Sequence, residues 1–345
     1  MTQDPSDRDA PALREAEGLL LVGDPHLTSV RPGRRRDADF GAAVLAKIET
    51  IVDYANARRL VVVFLGDMFD AFKEEDQGLI TKLIRALSRC WSWTVANVGN
   101  HDIENTMLSD GDSLTLLQTA GVLAVVARSG GAEEFLLGPD RRRVGLGMTP
   151  YGQAIPDDVS DVFPEAETTV WCTHHDLLFA ETYPGSAPLH EIRGCALAAN
   201  GHIHLEKPDE IRGATRWINP GNITRMAIDA LAHVPQARVL TPGAARGEIA
   251  VEKVEFPDPP DLFDLTGYQV DAVSPAETAR RVREEASAFV ELLRTEAAVE
   301  LGKSDDGALL REEIERKCEA DGAQPAVRAI VLSLLEEAVV RSRTA

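Results

Sequence analysis

The sequence predicts a layered α/β protein, and three observations predict it. Strand-like and helix-like stretches alternate through the first hundred residues. The strand-like stretches are apolar almost throughout, as strands covered on both faces are. Asp, Asn and His, side chains able to bind metal ions, stand directly behind several of them, where open α/β sheets build their sites.

The elements follow in order. Residues 1–17, "MTQDPSDRDAPALREAE", are polar and acidic, and disorder is expected there. "GLLLVGD" (18–24) reads as a buried strand entering a loop. "DFGAAVLAKIETIVDYANARR" (39–59) is helical, with Val44, Ile48, Ile51 and Val52 at helical spacing. "LVVVFLGD" (60–67) is a second buried strand, "GLITKLIRALSRC" (78–90) a helix, and "WSWTVANVGN" (91–100) a third strand. The second half is richer in strands: "RRVGLGMTP" (142–150), "TTVWCTH" (168–174), "GCALAAN" (194–200), "EIRGATRWINPG" (210–221) and "RGEIAVEKVEF" (246–256). "PDPPD" (257–261) marks a boundary. Beyond it the pattern is helical. Ser274 is placed as a helix cap, with Pro275 in the first turn and Glu277 completing a capping box. Two further helices are expected near 308–319 and 325–340. The chain therefore divides into a disordered start (1–17), a catalytic domain (18–256), a linker (257–269) and a helical C-terminal region (270–345). That region either binds a partner or packs on the catalytic domain.

A chain of 345 residues is long enough for one large domain and a smaller one without staples. Four cysteines lie scattered without a CxxC pair, which fits buried thiols in a reducing compartment. The start of the chain lacks the apolar core of a secretory signal, and no apolar run approaches the ~20 residues of a membrane span. A cytoplasmic protein without membrane contact is expected. The net charge of −20 repels polyanions at long range, so a nucleic-acid substrate needs a local basic patch or bound cations.

Five stretches carry chemistry. In "GDPHL", Asp24 and His26 stand two apart and point the same way in an extended chain. A turn aspartate beside a surface histidine is the favoured reading from that stretch alone. In "LGDMFD", Asp67 follows six apolar residues, where a carboxylate needs a partner, an ion or a helix to cap. Asp70 is a separate candidate. In "VGNHD", Asn100 offers a neutral carbonyl oxygen to a cation. Turn chemistry explains Asn100 and Asp102 as well, but leaves His101 without a role. "WCTHHD" places His174 and His175 after an apolar strand, and "NGHIHLE" places His202 and His204 two apart beside a glycine. Six of the eight histidines fall in these stretches, which makes a shared site the better explanation of all five. A mixed nitrogen and oxygen set suits Mn, Fe or Zn rather than calcium, and the number of ligands suits two ions.

The ordered set "DPH", "GDMFD", "GNHD", "THH" and "GHIH" resembles the calcineurin-like metallophosphoesterase superfamily over roughly residues 18–225. The resemblance implies a four-layer αββα sandwich with two facing sheets. It implies two divalent metals, Mn2+ first with Fe or Zn as alternatives, and phosphodiester hydrolysis by metal-activated water. Asp24, His26, Asp67 and His204 would hold the first metal. Asp67, Asn100, His174 and His202 would hold the second, with Asp67 bridging and His174 preferred to His175. His101 would serve the leaving oxygen, and the Asp70 carboxylate would orient His101. Asp102 would brace the loop.

Within the superfamily the chain looks most similar to the SbcD-like DNA exonucleases, the nuclease subunits of complexes with an SMC-like coiled-coil ATPase. "DPHLTSVRPGRRRDADFGAAVLAKI" and "INPGNITRMAIDALAHVPQARVL" carry that similarity, together with the helical tail. It implies a DNA exo- or endonuclease with the ATPase as partner, and a homodimer as an option. Arg34, Arg35, Arg36 and Arg225, with Arg31, would then meet phosphates, although a solvated loop explains the arginine run equally. The room for a DNA-shaping cap after residue 240 is small, which keeps a small nucleotide-like substrate as the alternative.

Overall fold

The computed structural model describes residues 13–179, 186–227, 230–259 and 262–266. Its first half runs β1 (Arg14–Ala16), β2 (Gly18–Val22), α1 (Phe40–Arg58), β3 (Leu60–Phe64), α2 (Gln77–Leu87), β4 (Val95–Asn97) and α3 (Ser113–Thr119). Then come β5 (Ala124–Val126), β6 (Gly130–Leu137), β7 (Arg142–Thr149), β8 (Thr168–Thr173), β9 (Leu177–Leu178) and β10 (Ala187–Pro188). The last strands are β11 (Leu197–Asn200), β12 (Lys207–Arg212), β13 (Thr215–Asn219), β14 (Gln236–Pro242) and β15 (Ile249–Glu255).

Two sheets carry the fold. One has six strands in the order β15-β14-β2-β3-β4-β5, and the other seven in the order β1-β6-β7-β8-β11-β13-β12. The run β2-β3-β4-β5 is parallel, as is β7-β8-β11-β13. Alternation along each strand divides the side chains between faces. Leu19, Leu21, Val61 and Val63 meet Val144, Leu146, Val170, Cys172 and Leu197 in a core shared by the two sheets. The intervening Leu20, Val22, Val62 and Phe64 face α1, α2 and α3 through Val44, Ile48, Leu83 and Leu117. Each such fully buried side chain contributes about 1.5–3 kcal/mol. Asp39 caps α1 by accepting from Ala42 N at 2.9 Å, and Asp76 caps α2 by accepting from Gly78 N and Leu79 N.

The mixed α/β class and the facing sheets agree with the expectation, while several local features differ. The outer face of the seven-stranded sheet presents Trp171, Ala198 and Trp217, covered by Val159, Leu177, Phe179, Leu189 and Ile192. Among the described residues this cover is made of loops and the β9–β10 pair, without a helix. Disorder does not extend to residue 17. Arg14–Ala16 pairs in parallel with Phe135–Leu137, because Ala16 is buried and the Arg14 guanidinium lies over Trp93. The third strand is shorter than expected, and β5, β6, α3 and β14 were not anticipated.

The described part of the expected linker is docked. Arg36 N donates to Leu262 O at 2.9 Å and Asp264 N to Arg34 O at 2.7 Å. Ser274, Pro275, Glu277 and the helices expected across 270–345 lie outside the described residues. No helix among the described residues is long and apolar enough to cross a membrane.

Candidate metal centre

The candidate ligands sit on loops at the C-terminal ends of parallel strands in both sheets. Asp24 and His26 follow β2, Asp67 follows β3, Asn100 follows β4, His174 follows β8, and His202 and His204 follow β11. Six described residues other than glycine have positive φ, and four of them are Asp24 (35°), His26 (46°), Asp67 (48°) and His202 (69°). Such conformations cost on the order of 1–3 kcal/mol each and persist where the surroundings enforce them.

Main-chain pairing fixes the loops. His26 N donates to Asp67 O at 3.0 Å and Leu27 N to Met68 O at 2.9 Å, which locks the first ligand loop to the second. Glycines admit the close approach. A Cβ at Gly99 would run into the Asp67 carboxylate, and one at Gly66 into the His174 ring.

Three groups of ligand atoms result, each with its atoms within 4.8 Å of one another: first Asp24, His26 and His204, second Asp67, His174 and His202, and third His26, Asp70 and His101. Within the first, His26 Nε2 and His204 Nε2 are 2.9 Å apart. Asp67 Oδ2 lies between the first two groups, 3.6 Å from His26 Nε2 and 3.2 Å from His174 Nε2. Asn100 Oδ1 joins the second, 2.8 Å from His202 Nδ1 and 3.3 Å from His174 Nε2. His174 Nδ1 donates to Leu65 O at 3.0 Å, which fixes its ring and turns Nε2 toward Asp67 and Asn100. His175 points elsewhere, its Nε2 donating to Gln153 O at 2.8 Å.

Both carboxylate oxygens of Asp24 are buried without a hydrogen-bond partner among the described residues. A wholly buried carboxylate left bare is costly, and a cation between Asp24, His26 and His204 removes that cost. The residues thus fit divalent ions.

The charges are arranged to match. Burial, opposed in part by His174, pushes the Asp24 carboxyl up to about 6. Burial also disfavours ionised Asp67, but His174 and His26 hold it well below the usual carboxylate range. Burial would neutralise His174, yet Asp67 and Asp24 raise it to about 9. Burial and then His174 lower His202 to about 4, while burial and then His26 lower His204 to about 3. These two rings present free lone pairs, the form a metal takes.

His101 stands beside the first two groups. Its main-chain N donates to Asp67 Oδ1 at 2.9 Å, and its ring packs edge-on against His26 with centroids 4.9 Å apart. Its orientation corrects one expectation. His101 Nδ1 donates to the Asp70 main-chain carbonyl at 2.6 Å, leaving Nε2 free. The Asp70 carboxylate instead lies 3.3 Å from His26 Nδ1, because 26–27 pairs with 67–69 and brings residue 70 alongside. Asp102 accepts from Gly99 N at 2.9 Å and from Phe69 N at 3.3 Å, bracing two ligand loops together.

The arginines differ from expectation. Arg35 is buried, paired with Asp37 and donating to Arg225 O at 2.7 Å. Arg225 donates to Asp258 at 2.9 Å and to Leu231 O at 3.2 Å. Arg34 donates to Asp264 O and Thr266 O, and Arg36 pairs with Asp264 at 3.7 Å. Arg34 and Arg225 thus bond to Asp264, Thr266 and Asp258, and Arg36 pairs with Asp264 while its side chain stays exposed.

Sequence reading missed a set of buried amides. Asn97, Asn200 and Asn219 each end a strand. Asn97 Nδ2 donates to Thr149 O, tying the sheets together. Asn200 Oδ1 accepts from Thr173 Oγ1 and His175 N, and its Nδ2 donates to His175 O and Gly201 O. Asn219 Nδ2 donates to Ile203 O and Leu205 O. The signal was visible as a polar residue closing each apolar strand, "VAN", "LAAN" and "WIN". Reading missed Tyr151 as well, whose ring centroid lies 5.7 Å from that of His202.

No protein-family profile matches the sequence, and no curated protein does. Solved structures do match. The NAD nucleotidase of Haemophilus influenzae is 10% identical, with a TM-score of 0.43, over 70% of this chain and 50% of its own. The 5′-nucleotidase precursor of Thermus thermophilus is 13% identical, with a TM-score of 0.44, over 79% of this chain and 59% of its own. A conserved uncharacterised protein of Streptococcus pneumoniae, titled a predicted phosphoesterase, is 14% identical, with a TM-score of 0.30, over 72% of this chain and 100% of its own. The alignments thus span only 50% and 59% of the length of the first two.

Proposed function

We propose that this chain is a dinuclear-metal phosphoesterase of the calcineurin-like kind that hydrolyses phosphodiester bonds. One observation carries the reading: two ligand groups converge around Asp67, and Asp24 is wholly buried with both carboxylate oxygens unpartnered. Asp24, His26, His204 and Asp67 would hold one ion, and Asp67, Asn100, His174 and His202 the other. Bound divalent ions there supply charge stabilisation to phosphoryl oxygens and acidify water. The chain's own residues do the rest. Asp67 fixes the separation of the two groups. Asn100 adds an oxygen without adding negative charge. His101, held at Nδ1 by the Asp70 carbonyl, presents Nε2 to the leaving oxygen and is placed to deliver a proton there. The carbonyl steadies the ring while it carries that proton.

The sequence motifs favour DNA as the substrate, with a coiled-coil ATPase as partner. A second reading, a nucleotide-sized ester, is favoured by the engagement of Arg34, Arg35, Arg36 and Arg225 within the chain and by the net charge of −20. The test is hydrolysis of bis-p-nitrophenyl phosphate, p-nitrophenyl phosphate, and single- and double-stranded DNA, with Mn2+, Mg2+, Zn2+ or no metal. Metal-dependent cleavage of the diester is expected. Competition by DNA for that activity supports the nuclease reading, and failure to compete supports the small ester. No metal-dependent hydrolysis of any ester would overturn both.

A further inference from the structure

Tyr151 follows β7 in a turn that the metal groups do not use. Its main-chain N donates to Val98 O at 2.9 Å, two residues before Asn100, so the turn is tied to the loop that carries Asn100 and His101. Its ring lies 5.7 Å from the His202 ring, tilted by 33°, and 6.4 Å from that of His175 at the same tilt. It meets the His174 ring edge-on at 6.4 Å. Yet Tyr151 remains 37% exposed, while His174 beneath it is wholly buried.

Tyr151 is thus a large aromatic side chain held against two candidate ligand histidines and still partly open to solvent. Packing does not require it to be so placed, because the shared core of the two sheets does not include it. The flat rings of His175, His202 and Tyr151 form an aromatic margin on the His202 side of the site. Whatever extends toward this margin from a phosphate on a metal that Asp67, Asn100, His174 and His202 would hold meets aromatic ring surface. Stacking is the recognition such a surface offers. It accepts any nucleobase, because every base has a π face.

We infer that Tyr151 is a specificity residue that stacks the base of a nucleotide whose phosphate occupies the metal centre. The substrate class is therefore a nucleobase-bearing phosphoester, either a free nucleotide ester or a nucleotide within a strand. The inference rests on the phosphoesterase reading above and adds to it the chemistry beside the phosphate.

The experiment uses the full chain loaded with Mn2+. Calorimetric titration compares the 5′-methylenephosphonate analogue of adenosine 5′-phosphate with that of ribose 5-phosphate, neither of which carries a cleavable ester at phosphorus. The wild type is expected to bind the base-bearing analogue roughly 5- to 100-fold tighter, the range that one base stacked on one aromatic ring commands. Tyr151→Ala should abolish that gap while moving the ribose analogue less than about twofold, and Tyr151→Phe should preserve it. The same pattern should appear in kcat/KM when thymidine 5′-(p-nitrophenyl phosphate) is compared with methyl p-nitrophenyl phosphate. A gap that survives Tyr151→Ala would overturn the inference, as would equal weakening of both analogues, which marks a merely structural ring. If the wild type hydrolyses methyl p-nitrophenyl phosphate but shows no base preference, this inference fails and the phosphoesterase reading stands. If it hydrolyses no ester with any metal, the reading beneath fails and takes this one with it.

Discussion

Loading the site with metal should release protons. His174 carries a raised pKa of about 9, because Asp67 and Asp24 outweigh the burial that would otherwise neutralise it. Near neutral pH it is protonated, and it must lose that proton before Nε2 can act as a ligand. Asp24, raised by burial to about 6, adds a second proton as pH falls through that value. His202 and His204 add none near neutrality, since burial already holds them neutral. His26 is raised as well and contributes in the same direction as His174. The sign follows. Groups raised in the metal-free fold bind protons that the metal must displace, so affinity rises with pH up to about 9 and falls as pH drops. One displaced proton corresponds to about a tenfold change in apparent affinity per pH unit. Calorimetric titration with Mn2+ in buffers of different ionisation enthalpy measures the release. At least about one proton is expected near neutral pH, with more below about 6. His174→Gln should reduce it. Heats that do not depend on buffer, or a release unchanged by His174→Gln, would refute the charge assignment.

Three further outcomes are expected. His101→Asn should retain both metals in elemental analysis and lose roughly 10²–10⁴-fold in kcat, because its side chain touches the substrate side of the site. Gly99→Ala should lose metal binding in the same assay, since its Cβ would occupy the space of the Asp67 carboxylate; undiminished metal content would show that the loop gives way. Cys172 and Cys195 should resist a thiol reagent in the native protein, as burial raises the first thiol beyond the accessible range and the second to about 12. Peptide mass spectrometry after native labelling checks this, and fast modification of either residue would contradict the packing of the sheets.

The candidate ligand set was legible because its residue types conflict with their places. Asp67 ends a run of six apolar residues, and His202 and His204 follow "CALAAN", so neither stretch is satisfied by packing alone. The choice of His174 over His175 agrees with the geometry for a local reason: adjacent residues leaving a strand diverge, and only His174 turns inward. The Asp70 carboxylate faces His26 because the pairing of 26–27 with 67–69, which sequence does not reveal, brings residue 70 alongside, while its main-chain carbonyl holds His101. The arginines' partners were only partly legible. Within "RPGRRR", Arg35 pairs with Asp37 two residues on, whereas Asp264 reaches Arg36 from a distant part of the chain, as Asp258 reaches Arg225.

The site's precision comes from what surrounds the ligands. Four of the candidate ligands hold backbone conformations that cost on the order of 1–3 kcal/mol each, and Asp24 adds a buried carboxylate without a hydrogen bond. Left to themselves these residues would relax. Asn97, Asn200 and Asn219 prevent this by tying the strand ends to the loops and one sheet to the other. Asp102 ties the loop after β3 to the loop after β4 in the same manner. The fold therefore keeps these donors close together at a standing cost, which a bound divalent ion would offset. A site built in this way gains geometry from the fold and loses little entropy when the ions arrive, because the sheets have already ordered the ligands.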